Sequence, residues 1–250
     1  MSTHAIMLAA GMSRRLADPG RPPKSLLEFG GRTLLERHFD CLRALGIREV
    51  TLCVGYRREL LEDVAARAPG IDVRCVHNPD FEEGSVVSLW STRAALTAGR
   101  EVILMDADVF YAPEILARLV QSPAADCLLI DRDFVPGDEP VKVCVRDGRI
   151  VEFRKLLDPL LRYDSCGESI GFFKLSPATA AALAARTEAY VAAGRRNEPY
   201  EEPLRELLID ARSAFRCEDV SGLPWIEIDF PEDIDRARDN ILPRIDTARV

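Results

Sequence analysis

Residues 5–24 read AIMLAAGMSRRLADPGRPPK. An apolar run ends in small residues at Leu8-Ala9-Ala10-Gly11, and a turn holding Arg14, Arg15, Arg21 and Lys24 follows. A strand that runs into a small-residue loop opens many α/β sheets, whose ligands bind beyond the carboxyl ends of the strands. Small side chains there let a ligand lie against the main chain, and Gly11 is free to take a positive φ. Successive loop N–H groups suit anionic oxygens, and the four cations supply charge where a nucleoside triphosphate would need it. Neither the dinucleotide pattern GxGxxG nor the Walker pattern GxxxxGK[ST] is present. A solvated basic loop would hold the same residues, so the rest of the chain has to decide.

Outward from this strand, helical and extended patterns alternate. Leu34, Leu35, His38, Phe39, Leu42 and Leu45 recur at helical spacing up to Gly46. VTLCV, VRCVH and VILMD read as buried strands. Between them lie a helix stopped by Pro69-Gly70 and another starting near Ser85 after the polar loop NPDFEEG. A further helix opens at Pro113, where a missing N–H costs nothing. This alternation predicts a Rossmann-like three-layer α/β sandwich with a mostly parallel central sheet. After residue 126 the pattern becomes β-rich: DCLLID, a hairpin VKVCVRDGRIVEFRK turning at Asp147-Gly148, and SIGFFKL. Helices over 177–193 and PLRELL follow, then strands FRCEDV and WIEID and a last helix from Pro231. The expectation is one domain over 1–250 with a β-rich lid or insertion in its second half.

Composition narrows the function. A chain of 250 residues, 47% hydrophobic, can bury a full core. A net charge of −8 without a long basic run argues against nucleic acid as a partner. No segment approaches the ~18 consecutive apolar residues that would span a bilayer. MSTHAIMLAAG lacks the basic start of a secretory signal. Seven cysteines without a CxxC pair read as reduced core thiols, so a cytoplasmic location is expected. The three histidines form no metal pattern, and His38 reads as a packed residue on a helix face.

Carboxylates recur at strand ends. MDADVF puts Asp106 and Asp108 just past a buried strand, where oxygen ligands suit Mg²⁺. Acidic residues also cap helices, and one opens close by. In WIEIDFPED, strand alternation places Glu227 and Asp229 on one face, opposite Ile226 and Ile228. Such a pair needs a cation or hydrogen-bond donors, unless the face is simply solvated. Gly84 permits close backbone approach, and Ser85 offers a hydroxyl near a helix start.

Residues 8–36, LAAGMSRRLADPGRPPKSLLEFGGRTLLE, resemble the signature of nucleotidyltransferases that make nucleoside-diphosphate sugars and related CDP compounds. That signature runs LAAGxGxRL, PKxL, a glycine turn and LLxR; its second glycine is Ser13 here. The resemblance implies a triphosphate loop of Leu8, Ala9, Ala10, Gly11, Ser13 and Arg14. In it Arg15 meets the β- and γ-phosphates, while Lys24 bridges the α-phosphate and the attacking phosphate. It also implies a metal held by Asp108 with Glu227 and Asp229, Asp106 lying behind. NPDFEEGSVVSLW resembles the loop that reads cytosine in the phosphocholine and aminoethylphosphonate cytidylyltransferases, which implicates Asn78, Gly84 and Ser85. The order of later segments resembles the acceptor half of that branch, a lid over roughly 133–220. By position, Lys142 would meet the acceptor phosphate, and Glu168, Tyr200, Glu202 and Trp225 its headgroup.

The implied activity is Mg²⁺-dependent transfer of CMP from CTP to phosphocholine, 2-aminoethylphosphonate or a similar acceptor, with pyrophosphate released. Expected partners are CTP and that acceptor, with a homodimer left open and neither nucleic acid nor membrane. A sugar or inositol phosphate is the alternative acceptor. A nucleotide-sugar-dependent glycosyltransferase shares the sheet and the DxD, but its donor diphosphate has less need of a loop ending in Lys24. A silent nucleotide-binding regulator has no need of Lys24, Asp108 and Asp229 together.

Overall fold

The computed structural model describes residues 3–12, 14–16, 21–210 and 213–247. Strand β1 (His4–Ala9) is followed by the small hairpin β2 (Glu28–Phe29) and β3 (Arg32–Thr33) and by α1 (Leu34–Ala44). Thr33 starts α1 with a capping box: its hydroxyl accepts from the Glu36 N–H while Glu36 accepts from the Thr33 N–H. Next come β4 (Glu49–Val54), α2 (Arg58–Ala66), β5 (Asp72–His77), α3 (Ser85–Ser91) and α4 (Arg93–Leu96). Strands β6 (Val102–Asp106) and β7 (Val109–Tyr111) precede α5 (Pro113–Gln121) and β8 (Cys127–Asp131). The hairpin β9 (Lys142–Arg146) and β10 (Arg149–Arg154) leads into β11 (Ser165–Leu175), α6 (Pro177–Ala192) and α7 (Glu201–Leu208). The chain closes with β12 (Arg216–Asp219), β13 (Trp225–Glu227), α8 (Pro231–Arg236) and α9 (Leu242–Thr247).

The main sheet runs β10-β9-β11-β6-β1-β4-β5, with β8 paired to β11 and β12 paired to β8. Strands β6, β1, β4 and β5 are mutually parallel, whereas β11 is antiparallel to β6, β8 and β9. The Rossmann-like layout is therefore as expected, and the hairpin extends the same sheet.

Alternation along the strands makes the three layers. Ala5, Met7, Ile103 and Met105 pack with Leu35, Phe39 and Leu42 of α1 and Leu116 of α5 on one face. Ile6, Val102 and Leu104 pack with Leu89, Leu183 and Leu204 on the other. A third cluster of Phe29, Phe110, Ile226 and Ile228 seals the two-stranded sheet of β7 and β13.

Two backbone details depart from the sequence reading. Gly11 is not among the positive-φ glycines, so the strand leaves in an ordinary conformation and Gly11 gives open space instead. WIEID is extended, but its ladder ends at Glu227, just before Asp229.

The close approach at this edge is made by Gly55, at the exit of β4. A Cβ there would lie 2.5 Å from Phe81 Cβ and 2.8 Å from the Ala10 carbonyl oxygen. Gly55→Ala is expected to lower the unfolding free energy by about 1–3 kcal/mol in urea titrations, the scale of overpacking. A variant as stable as wild type would contradict the contact.

Candidate active site

The exits of β1, β5, β6 and β13 converge on one cleft. β1 leads to Leu8, Ala10 and Gly11, β6 leads to Asp106 and Asp108, and Phe81, Glu82, Glu83 and Ser85 follow β5. The cleft holds about 420 Å³ and is completed by Arg15, Lys24, Tyr200, Glu201, Glu227 and Asp229. Ala9 faces a smaller adjoining space beside Lys24. Glu227 and Asp229 form a wall shared with a second cavity of about 310 Å³, into which Glu168 and Trp225 face.

The β7–β13 ladder brings the carboxylates together. Glu227 pairs with Val109, and the Ile228 N–H donates to the Asp108 carbonyl at 3.0 Å. As a result Asp108, Glu227 and Asp229 each present an oxygen, all within 4.8 Å of one another. The Lys24 ammonium enters from a short turn behind Pro23, 3.0 Å from Asp108 Oδ2 and 2.7 Å from Asp229 Oδ1. Arg15 Nη1 adds a contact to Asp229 at 3.4 Å and another to Glu139 at 3.0 Å.

Titration reflects this crowding. Burial alone would lower the Lys24 pKa, but Asp108 and Asp229 outweigh it and raise it above the ordinary lysine value. Burial likewise opposes ionisation of Asp229, yet the Lys24 charge and hydrogen bond hold its carboxyl below the usual range. Glu227 opens onto the cleft surface, and still the enclosing walls, with Asp108, Asp229 and Asp106, push its carboxyl well up. A set of carboxylate oxygens with one member short of positive charge suits a hard divalent cation.

Some expected residues lie elsewhere or do other work. Asn78 is fully buried and faces neither cavity: its amide donates to Ser88 Oγ at 3.1 Å and accepts from the Asp80 N–H at 3.0 Å. Gly84 allows close approach of protein main chain, since a Cβ there would meet the Glu198 carbonyl oxygen at 2.2 Å. Ser85 does line the cleft, and its hydroxyl accepts from the Tyr200 N–H at 2.8 Å. Tyr200 belongs to the first cavity, buried, with its hydroxyl donating to Asp106 Oδ2 at 2.7 Å. Lys142 is turned away, its ammonium donating to the carbonyls of Gly137, Pro140 and Lys155. Glu202 forms a two-pronged pair with Arg154 instead of lining either cavity. Ser13 lies outside the described residues, as does the side chain of Arg14.

Three charged residues were missed. Glu201 lines the first cavity, its Oε2 buried with no hydrogen-bond partner and its carboxyl pKa raised by that burial. Helical phase could have found it, because Glu201 shares a face with buried Leu204 and Leu208, and Glu202 does not. Lys155 and Glu139 are the others: Lys155 Nζ lies 3.0 Å from Glu139 Oε2, so Glu139 joins it to Arg15. Nothing in the local pattern marks that loop contact.

In the second cavity Trp225 Nε1 donates to Asp131 Oδ2 at 2.8 Å. Burial, then the neighbouring Asp131 charge, pushes the Glu168 carboxyl up to about 7.

The sequence profile of the family described as MobA-like NTP transferase domain matches residues 5–159. A Rubrobacter xylanophilus protein named "Bifunctional IPC transferase and DIPP synthase" is 34% identical over 95% of this chain and 52% of its own length. The "CMP-5'-(3-aminopropyl)phosphonate synthase" of Streptomyces rubellomurinus is 28% identical over 92% of this chain and 37% of its own. The chain thus spans about half or less of these relatives. The inositol-1-phosphate CTP transferase structure from T. maritima superposes with a TM-score of 0.77 at 22% identity, covering 98% of this chain and 96% of that one. At that identity the likeness establishes a shared fold. No helix among the described residues is long and apolar enough to cross a membrane.

Proposed function

The chain belongs to the MobA-like NTP transferase domain family, and from that premise we propose that it transfers CMP from CTP to a small phosphate or phosphonate acceptor, of the phosphocholine or 2-aminoethylphosphonate type. The observation that carries this reading is the Lys24–Asp108–Asp229 cluster, set with Glu227 on the wall between two adjoining cavities. The first cavity, with its strand-exit loop and cations, takes the nucleotide. The second takes the acceptor. The choice of CTP draws on relatives whose names include CMP or CTP transfer.

An acceptor oxygen attacks the α-phosphorus in line, the bond to the β-phosphate oxygen breaks, and pyrophosphate leaves with that electron pair. A phosphate monoester has its second pKa at about 6, so the attacking oxygen needs no general base. Catalysis then consists of positioning and charge neutralisation. Lys24 reaches the α-phosphate and the incoming acceptor oxygen, and Arg15 the leaving phosphates. Asp108, Glu227 and Asp229 would hold Mg²⁺, which supplies Lewis-acid neutralisation of phosphoryl oxygens. Lys155 takes the place first given to Lys142, for its charge acts on Asp229, Glu168 and Glu201 around the cleft. Glu139, bonded to both Arg15 and Lys155, occupies the position of a phosphate between two cations and gives way as substrates enter.

The second cavity favours a cationic headgroup. Asp131, Asp133 and Glu168 line it alongside Phe134, Trp225 and Phe230. An ammonium gains both from carboxylates and from aromatic faces. An inositol phosphate is the second reading, drawn from the name of the T. maritima inositol-1-phosphate CTP transferase whose fold this chain shares.

Lys24→Ala should reduce pyrophosphate release by roughly 10²-fold, the scale of a lost transition-state charge contact. Turnover close to wild type would remove Lys24 from the reaction. The acceptor assignment is tested by pyrophosphate release from CTP, UTP, GTP and ATP with phosphocholine, 2-aminoethylphosphonate, inositol 1-phosphate and glucose 1-phosphate. CTP with a cationic acceptor should lead, and preference for a hexose 1-phosphate or another triphosphate overturns the choice of substrates.

Glu168 adds a pH dependence. Its carboxyl, pushed up to about 7, carries charge only as pH rises through that value. The KM of a cationic acceptor should therefore fall between pH 6 and 8, and Glu168→Gln should flatten that change. An identical pH profile in the variant would remove Glu168 from headgroup binding.

A further inference from the structure

His38 faces neither cavity, yet its hydrogen bonds reach the turn that carries Asp108. It projects from the apolar side of α1 and is fully buried. Nε2 lies 3.3 Å from the carbonyl oxygen of Ala107, and Nδ1 lies 3.2 Å from the Tyr111 hydroxyl. A carbonyl can only accept, so Nε2 carries the proton, and Nδ1 accepts from Tyr111. Burial lowers the imidazole pKa to about 4, which keeps this neutral form through the neutral range.

Ala107 stands between Asp106 and Asp108. Its N–H donates to the Leu8 carbonyl at 3.3 Å and its carbonyl accepts from His38, so the peptides on both sides of it are tied. The Asp108 carbonyl is held in turn by the Ile228 N–H. Tyr111, the other partner of His38, pairs with Trp225 in the ladder that presents Glu227. One imidazole therefore joins the Asp108 turn to the β7–β13 ladder, the two elements whose carboxylates converge.

We propose that His38 is a positioning residue for the carboxylate cluster, fixing the Ala107–Asp108 peptide against the β7–β13 ladder so that Asp108, Glu227 and Asp229 can share one cation. This rests on reading the cluster as a divalent-cation site. An apolar side chain would fill the same space but leave the Ala107 carbonyl unpaired in the core, free to turn Asp108 away. Hydrogen bonds behind metal ligands commonly carry about 10–100-fold in metal affinity.

The test is Mn²⁺ binding to the full chain, followed by the electron paramagnetic resonance of free Mn²⁺ without nucleotide. His38→Met should weaken binding by about 10-fold or more, while His38→Gln, whose amide can still donate to Ala107, stays within about threefold of wild type. His38→Met binding as wild type does, or both variants weakening equally, overturns the proposal. Absence of saturable Mn²⁺ binding in wild type overturns it together with the cation site. Saturable binding that follows the predicted order in a protein inert toward CTP upholds the proposal and rejects the functional reading alone. Long-range ¹H–¹⁵N spectra of the metal-free wild type give a readout independent of any variant. They should show His38 as the neutral Nε2–H form, and an Nδ1–H form overturns the assignment.

Discussion

Carboxylates crowd the carboxyl edge of the sheet, and the Lys24 ammonium between Asp108 and Asp229 is what makes that crowding tolerable. At about 3 Å and an effective dielectric near 20, each contact is worth roughly 5 kcal/mol as a Coulomb interaction, partly offset by desolvation. Lys24 is only 14% exposed, so solvent does little of the neutralising. Its hydrogen bonds go to Asp108 and Asp229, while Glu227, like Asp106 and Glu201 in the same cleft, has its carboxyl pushed up by burial. The edge thus carries more negative charge than its own cation offsets, which is the condition in which an added cation binds.

The opening segment explains how a chain of net charge −8 comes to gather arginines and a lysine behind its first strand. Arg15 and Lys24 converge on Asp229, with Arg15 also reaching Glu139. The charge of that segment is matched by acidic residues 84 to 214 positions later, not by its immediate neighbours. The long-range pairing fixes the distance between the loop after β1 and the strand β13. Neither element alone could present the cluster, because each would hold uncompensated like charges.

The central layout was legible because its signals are local. Apolar strands alternating with helices, Pro113 at a helix start and Asp147-Gly148 at a hairpin turn all act within a few residues. The carboxylates were legible too: the strand end marks Asp106 and Asp108, same-face alternation pairs Glu227 with Asp229, and the resemblance to the nucleotidyltransferases joins Asp108 to that pair. The lid was not. Lys142 and Lys155 sit on the two arms of one hairpin with equal claim by sequence, and only the packing shows Lys142 donating to loop carbonyls. Asn78 and Gly84 sit in the segment expected of them but serve protein contacts there: Asn78 bonds Ser88 and the Asp80 N–H, and Gly84 meets residues 196–198 folding back onto it.

That fold-back also shows how the two halves of the chain depend on each other. The Gly84 N–H donates to the Arg196 carbonyl, and Arg196 pairs with Glu83 and Asp80. Tyr200, four residues on, binds both Ser85 and Asp106. A segment from the second half thereby clamps the loop after β5 against the exit of β6, and Glu201 is carried into the cleft by the same turn. In the proposed reaction the nucleotide cavity is therefore not the property of the N-terminal strands. Its far wall arrives with α7, after the hairpin and β11 have been laid onto the sheet. Tyr200 and Glu201 thus line the first cavity from the same β-rich half whose Asp133, Phe134 and Glu139 line the second.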